Sequence, residues 1–258
     1  MTTPNKNLGQ HWLYDKSSLE AMCNAADVKP DDVILEIGPG LGTLTQLLVK
    51  KANRVITVEF DENLARELPS RVKAENLEVI SQDILSLDFT TLPPEYKIVA
   101  NIPYYLTSNL IRVISETPNV PKKAVLLIQK EVAQRVTAEP GQMSILSVTA
   151  QFYWEVELGQ EVPAHLFTPP PKVDSQILIM TQRSKPLFED CNTREFFRLV
   201  KAGFSQKRKT LLNSLSAGLQ VDKVTVKKAC ESVEIDPARR AQTLSLQEWY
   251  NLYLSFNT

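Results

Sequence analysis

The 258-residue chain has little of what most readily assigns a function. Its three cysteines, Cys23, Cys191 and Cys230, are far apart and form no CxxC pair, and only His11 and His165 accompany them. That excludes a zinc constellation and a disulfide framework, and reads as reduced thiols in a cytoplasmic protein. No apolar run approaches the ~20 residues of a membrane span. The densest, Ala124 to Ile128, has the length of a strand. The opening MTTPNKNLGQ has neither the basic head nor the apolar stretch of a secretory signal. No metal and no membrane partner are therefore expected. Net charge is nearly absent as well, with 29 Lys plus Arg against 30 Asp plus Glu. Taken over the whole chain, that balance speaks against nucleic acid, whose partners are usually basic. Glycine is also scarce, yet three of its eight residues, Gly38, Gly40 and Gly42, fall within five positions.

What is present is a regular alternation. From residue 17 to about 137, short β-rich runs alternate with helical patterns. Strands are expected at 32–37, 54–59, 77–81, 97–100 and 124–128. Ser17 or Ser18 is expected to cap a helix carrying Leu19, Met22, Cys23 and Ala26, and further helices follow the glycine turn and cover 61–73 and 108–115. Alternation of this kind yields parallel strands with right-handed crossovers, a doubly wound, Rossmann-like α/β sheet. Residues 144–154 are apolar with no decisive period, and a proline cluster and a strand at 173–180 follow. From about 193 only helices are expected, at 195–204, 209–215, 223–232 and 246–256. Two domains result, residues 1–182 and a small all-helical domain of residues 183–258. The first holds 16 Lys plus Arg against 22 Asp plus Glu, a net of −6, and the second 13 against 8, a net of +5. The neutral total is an average over an acidic part and a basic one.

The glycine turn reads Glu36-Ile-Gly-Pro-Gly-Leu-Gly42-Thr43, between a strand and a helix. Its glycines let backbone approach a ligand, and the helix start offers free amides. The dinucleotide fingerprint GxGxxG would need glycine where Thr43 stands. Glu59 ends the second strand, where an acid can take both hydroxyls of a ribose. Asp83 ends the third and can accept from an adenine amino group. S-adenosylmethionine is thus favoured over NAD. The fourth strand ends in Asn101-Ile-Pro-Tyr-Tyr105. An exocyclic adenine amine is a poor nucleophile because its lone pair is delocalised into the ring. Two acceptors, the Asn101 side-chain oxygen and the Ile102 carbonyl, would bind both amino hydrogens and favour a pyramidal nitrogen. Pro103 stiffens the loop, and Tyr104 offers a flat face to a flipped base. Rate then comes from positioning, with no strong base required.

On these motifs the chain resembles the ribosomal RNA adenine N6-dimethyltransferase family, nearly end to end. The likeness adds Leu8-Gly-Gln-His-Trp-Leu13, Gln82-Asp83, Val162 to Ser175, Phe204 to Ser214 and Arg240 to Ser245; the last three are the most specific, and Pro169 to Ser175 with Phe204 to Ser214 points to its small-subunit branch. The resemblance implies S-adenosylmethionine contacts at His11, Leu13, Gly38, Gly40, Glu59, Asp83 and Asn101. It implies four methyl transfers to two adjacent adenines in the 3′-terminal hairpin of 16S rRNA. The expected partner is the assembling 30S subunit and the expected state a monomer. Phe167 matches an aromatic closing the second face of the target adenine. Lys207, Arg208 and Lys209, expected at a helix start, read as phosphate contacts, with Arg239 and Arg240 a weaker pair. Trp249, Tyr250 and Tyr253 read as core. His11 and Trp12 stand where Asn-Phe is frequent, Tyr105 where asparagine is usual, and the arm before Gly9 carries only Lys6. The alternatives are a large-subunit 23S rRNA methyltransferase of the macrolide-resistance type, a non-catalytic ribosome assembly factor and, more distantly, an NAD-dependent oxidoreductase.

Overall fold

The computed structural model describes Pro4 and residues 9–257, so Lys6 and Leu8 lie outside the described residues. In chain order the strands are β1 (Trp12–Leu13), β2 (Val33–Ile37), β3 (Arg54–Glu59), β4 (Leu77–Ser81), β5 (Lys97–Asn101), β6 (Lys123–Gln129), β7 (Trp154–Val162), β8 (Phe167–Thr168) and β9 (Ser175–Gln182). Seven of them form one sheet in the order β4-β3-β2-β5-β6-β9-β7. The first five run parallel, and β9 and β7 are antiparallel additions. In β6 all five residues from Ala124 to Ile128 are fully buried, as expected of a strand covered on both faces. The chain winds outward from β2 through β3 to β4, then returns to β5 on the other side. The switch point therefore lies between the carboxyl ends of β2 and β5, where ligands bind in such sheets.

The helices are α1 (Lys16–Ala25), α2 (Thr45–Leu48), α3 (Glu62–Arg71), α4 (Thr107–Glu116), α5 (Lys130–Val136), α6 (Ile145–Tyr153), α7 (Thr193–Phe204), α8 (Leu211–Leu219), α9 (Lys223–Glu231) and α10 (Leu246–Asn257). Two compact units result, one running to Gln134 and resuming over Trp154–Gln182, the other made of Arg135–Tyr153 and the chain from Arg183. The sequence boundary at 182 is one of the crossings, but residues 135–153 group with the C-terminal helices. The physical reason is apolar pairing: Val148 and Phe152 of α6 join the cluster of Phe196, Leu215, Val226 and Trp249.

Local chemistry corrects other expectations. Asp15, not Ser17 or Ser18, caps α1, its carboxylate accepting from the Ser18 N–H at 2.8 Å. Residues 144–154 resolve into helix α6 followed at once by strand β7. The latter was not expected because it is an edge strand whose Glu155, Glu157, Leu158 and Glu161 stay exposed, so no continuous apolar run marks it. Lys207–Lys209 occupy a turn before α8 rather than its first residues, because Thr210 takes the N-cap position. At the foot of the sheet Lys97 is buried, and its ammonium donates to Asp32 and to the Asp27 carbonyl, both at 2.7 Å. A buried cation is tolerated only when paired in this way.

Candidate active site

The site is assembled by strands that end together. Strands β1 and β8 pair antiparallel, Trp12 opposite Thr168 and Leu13 opposite Phe167. This short ladder joins residues 11 and 169, and the His11 Nδ1–H donates to the Pro169 carbonyl at 2.7 Å. The His11 ring also stacks near Tyr104, with centroids 5.9 Å apart and planes 23° from parallel. Asn101 closes β5, and its Nδ2 donates to the His11 carbonyl at 3.3 Å. That contact uses the donor end of the amide and leaves Oδ1 as an acceptor. Pro103 follows with φ −56°. Beyond it the Tyr104 hydroxyl shares a 2.8 Å hydrogen bond with the buried Ser175, and burial raises its pKa.

The glycine turn is held to the end of β3. Gly40 has φ +56°, and its N–H donates to Glu59 Oε2 at 3.1 Å, while Glu59 Oε1 accepts from the Asp61 N–H at 2.9 Å. Gly42 has φ +82°, and a Cβ there would lie 2.7 Å from Val72 and 2.8 Å from Leu68, so any other residue is both strained and crowded. Burial pushes the Glu59 carboxyl above its ordinary range, with these backbone donors opposing the shift. Glu36, fully buried near the end of β2, is pushed further, to about 8, by burial foremost and by the like charge of Glu59, with Thr45 offsetting part. Asp83 is not a free strand-end acid. It caps a short 3-10 helix, accepting from the Leu85 N–H at 2.9 Å through Oδ1, which leaves Oδ2 for a ligand.

These groups line two adjoining clefts. The first encloses about 870 Å³, part of it continuous with solvent, and brings together His11, Leu13, Gly38, Gly40, Glu59, Asn101, Ile102, Pro103, Tyr104 and Phe167. The second, about 760 Å³, is lined by Asp83 with Val58, Gln82 and Ile84, and shares Gly38, Glu59, Phe60, Pro103 and Tyr105 with the first. An elongated site of this size suits a ligand with several distinct parts. Lys207, Arg208 and Lys209 line neither cleft; they are exposed residues of the second unit. Arg239 is structural, paired with Glu248 and donating to the Thr243 carbonyl at 2.7 Å. Trp249 and Tyr253 are buried, and Tyr250 stacks on Phe188 at 4.1 Å. Sequence reasoning assigned no site role to Phe60, although it is 59% exposed and lines both clefts. A large aromatic directly after a strand-end acid was the available signal. Trp12 and Tyr105, noted only as departures, also line the first cleft.

Two observations bear on an adenosine-bearing cofactor. Glu59 Oε2 accepts from the Gly40 N–H and Oε1 from the Asp61 N–H, and both oxygens retain capacity for a ribose hydroxyl. The first cleft also has buried polar atoms without partners, Trp12 Nε1 and Glu36 Oε2. The residues present fit S-adenosylmethionine.

Comparison with known proteins points the same way. The family model for ribosomal RNA adenine dimethylase matches residues 1–257. Ribosomal RNA small subunit methyltransferase A of Dehalococcoides mccartyi strain CBDB1 is 41% identical, over 97% of this chain and 88% of its own length. The protein of that name from Clostridium botulinum strain Loch Maree is 39% identical, over 96% and 92%. Among solved structures, a dimethyladenosine transferase from Plasmodium falciparum superposes with a TM-score of 0.79 at 30% identity, covering 96% of this chain and 98% of that one. The 23S rRNA methyltransferase ErmE superposes with a TM-score of 0.78 at 27% identity, covering 96% and 100%.

Proposed function

The chain belongs to the ribosomal RNA adenine dimethylase family, and from that premise we propose that it dimethylates two adjacent adenines near the 3′ end of 16S rRNA. It is an S-adenosylmethionine-dependent rRNA methyltransferase. Four methyl groups move in all, and the substrate is the 3′-terminal hairpin within an assembling 30S subunit. On this reading the protein acts as a monomer in the cytoplasm.

The carrying observation is the fixed amide of Asn101. With Nδ2 tied to the His11 carbonyl, Oδ1 accepts one N6 hydrogen of the adenine, and the Ile102 carbonyl accepts the other. Both pull the nitrogen toward a pyramidal form and aim its lone pair. The cofactor, when bound, supplies an electrophilic methyl group on a sulfonium. Tyr104, anchored through Ser175, presents its ring to one face of the base, and Phe167 to the other. Glu59 holds the ribose hydroxyls, and Asp83 accepts from the cofactor's adenine amino group. Gly38, Gly40, His11 and Leu13 shape the passage between them. The product nitrogen is positively charged and loses its proton to water, so alignment rather than a base sets the rate. Lys207, Arg208 and Lys209 of the second unit contact rRNA phosphates.

The small-subunit reading is supported by 41% identity over 97% of the chain to a protein so named, against 27% to the 23S rRNA enzyme. Labelled methyl is expected to pass from S-adenosylmethionine to undermethylated 30S subunits, onto two neighbouring adenines resolved by mass spectrometry. Label in 23S rRNA would establish the large-subunit alternative. No transfer from a protein that binds the cofactor would leave an assembly factor.

A further inference from the structure

The loop after β5 turns one tyrosine inward and the next outward. Residues 104–106 form a short 3-10 turn, closed by the Leu106 N–H on the Pro103 carbonyl at 3.0 Å. With three residues per turn, neighbouring side chains leave it about 120° apart. Tyr104 is accordingly half-buried and tied to Ser175, Leu106 is buried, and Tyr105 is exposed. At 66%, Tyr105 is the most exposed large apolar side chain among the described residues. It nonetheless lines both clefts, and Gly9 beside it lines the first. A Cβ on Gly9 would stand 3.7 Å from Tyr105 Cδ1 and Cε1 and 3.7 Å from Pro103 Cβ. One edge of the ring is therefore braced by the glycine while most of its surface meets water.

A flat, braced ring facing water at the rim of a base pocket is a platform for a second base. Resting on the reading that the target adenine enters between Tyr104 and Phe167, we propose that Tyr105 stacks on the neighbouring unpaired adenine of the rRNA. Flipping one base out of its stack strips the next of a partner, and the Tyr105 ring takes that partner's place. Consecutive tyrosines thus receive consecutive bases, the first inside the pocket and the second at its mouth. Stacking uses the π-face and no hydrogen-bond pattern, so the ring accepts the neighbouring adenine with or without its methyl groups. Tyr105 does not touch the reacting nitrogen. It is a specificity-determining residue that favours substrates with an unpaired purine beside the target.

Steady-state methylation of undermethylated 30S subunits, reconstituted with the neighbouring adenine intact or replaced by an abasic site, tests the contact. Tyr105→Ala is expected to raise KM for the intact subunit about tenfold and to leave kcat within about twofold. Tyr105→Trp, which keeps a flat ring, should restore KM to within about twofold of the unsubstituted protein. On the abasic subunit the unsubstituted protein should itself lose about tenfold in KM, and Tyr105→Ala should add nothing further. An unchanged KM in Tyr105→Ala, or the same added penalty on both subunits, overturns the stacking. So does an equal KM of the unsubstituted protein for the two subunits, a comparison that needs no variant to fold. Calorimetric affinity of Tyr105→Ala for S-adenosylmethionine should stay within about twofold; a tenfold loss there would assign the ring to the cofactor and overturn the proposal. If the unsubstituted protein methylates neither subunit, the adenine-methylation reading itself falls, and the stacking with it.

Discussion

The two compact units solve opposite problems with the same alphabet. The α/β unit is acidic and the helical unit basic, and this contrast survives the reassignment of residues 135–153, which carry one arginine and one glutamate. In the α/β unit, charged groups gather at strand ends around a cleft. Several are held there at a cost to stability, such as the buried Glu36 with its unpartnered oxygen. In the helical unit, buried space goes to aromatic packing, Phe196 against Phe152 and Phe204 against Trp249, and Arg239 is spent on Glu248. Lys207, Arg208 and Lys209 lie exposed, where they add phosphate affinity without disturbing the core. Chemistry thus sits where the fold tolerates strain, and the second unit keeps its interior conventional.

That division can be broken in a graded way. Asn101→Ala should lower methyl transfer by about 100- to 1000-fold, the scale of losing one preorganised transition-state contact. The melting temperature should stay within a degree or two, and an unchanged rate would remove the assigned role. Gly203→Ala acts on the other unit, because a Cβ there would overlap the Trp249 ring. Overpacking of this kind costs about 1–3 kcal/mol, read as a lower denaturant midpoint of the helical unit with cofactor affinity intact. Replacing Lys207, Arg208 and Lys209 together by alanine should weaken 30S binding about tenfold at 0.2 M salt and flatten its salt dependence. Calorimetric affinity for S-adenosylmethionine should not change, and a loss there would dissolve the contrast between the units.

The smallest effect is on stability against pH. Glu36 moves from an ordinary carboxylate value of 4.5 to about 8 in the folded protein. The unfolded chain therefore loses this proton first. The group's contribution to stability is fully present below about pH 4.5 and fades as pH rises toward 8. Glu36→Gln removes that slope, so the variant should match the parent at pH 5 and exceed it by about 1 kcal/mol or more at pH 9 in urea unfolding. A parallel decline in both proteins would show that Glu36 is not the titrating group.

How much of this was legible before folding depends on whether the signal was local. The central strands were, since β6 reads as an unbroken apolar run from Ala124 to Ile128 and β2 as one broken only by Glu36. The β7 strand was not, because an edge position lets Glu155, Glu157 and Glu161 face solvent. The helical periods of α7, α9 and α10 were visible. The start of α8 was misplaced, because the turn holding Lys207–Lys209 differs from a first helical turn only in its backbone. At the site, Gly38, Gly40, Glu59, Asp83 and Asn101 could be picked out because each stands at a strand end or turn. That Asp83 serves as a cap was not apparent, and neither was the place of Phe60 in both clefts.

The sequence by itself determined the alternating α/β pattern, the helical C-terminal region, the opposed charges and the residue types suited to an adenosine cofactor and an adenine amine. These rest on spacing along the chain, where neighbours in sequence are neighbours in space. Only the tertiary structure decided which end of the Asn101 amide is free, because the His11 carbonyl that fixes it lies 90 positions away. It alone joined His11 to Pro169 across 158 positions and left the Trp12 Nε1 and Glu36 Oε2 atoms without hydrogen-bond partners. Burial and long-range register create those states, and neither exists until distant segments meet.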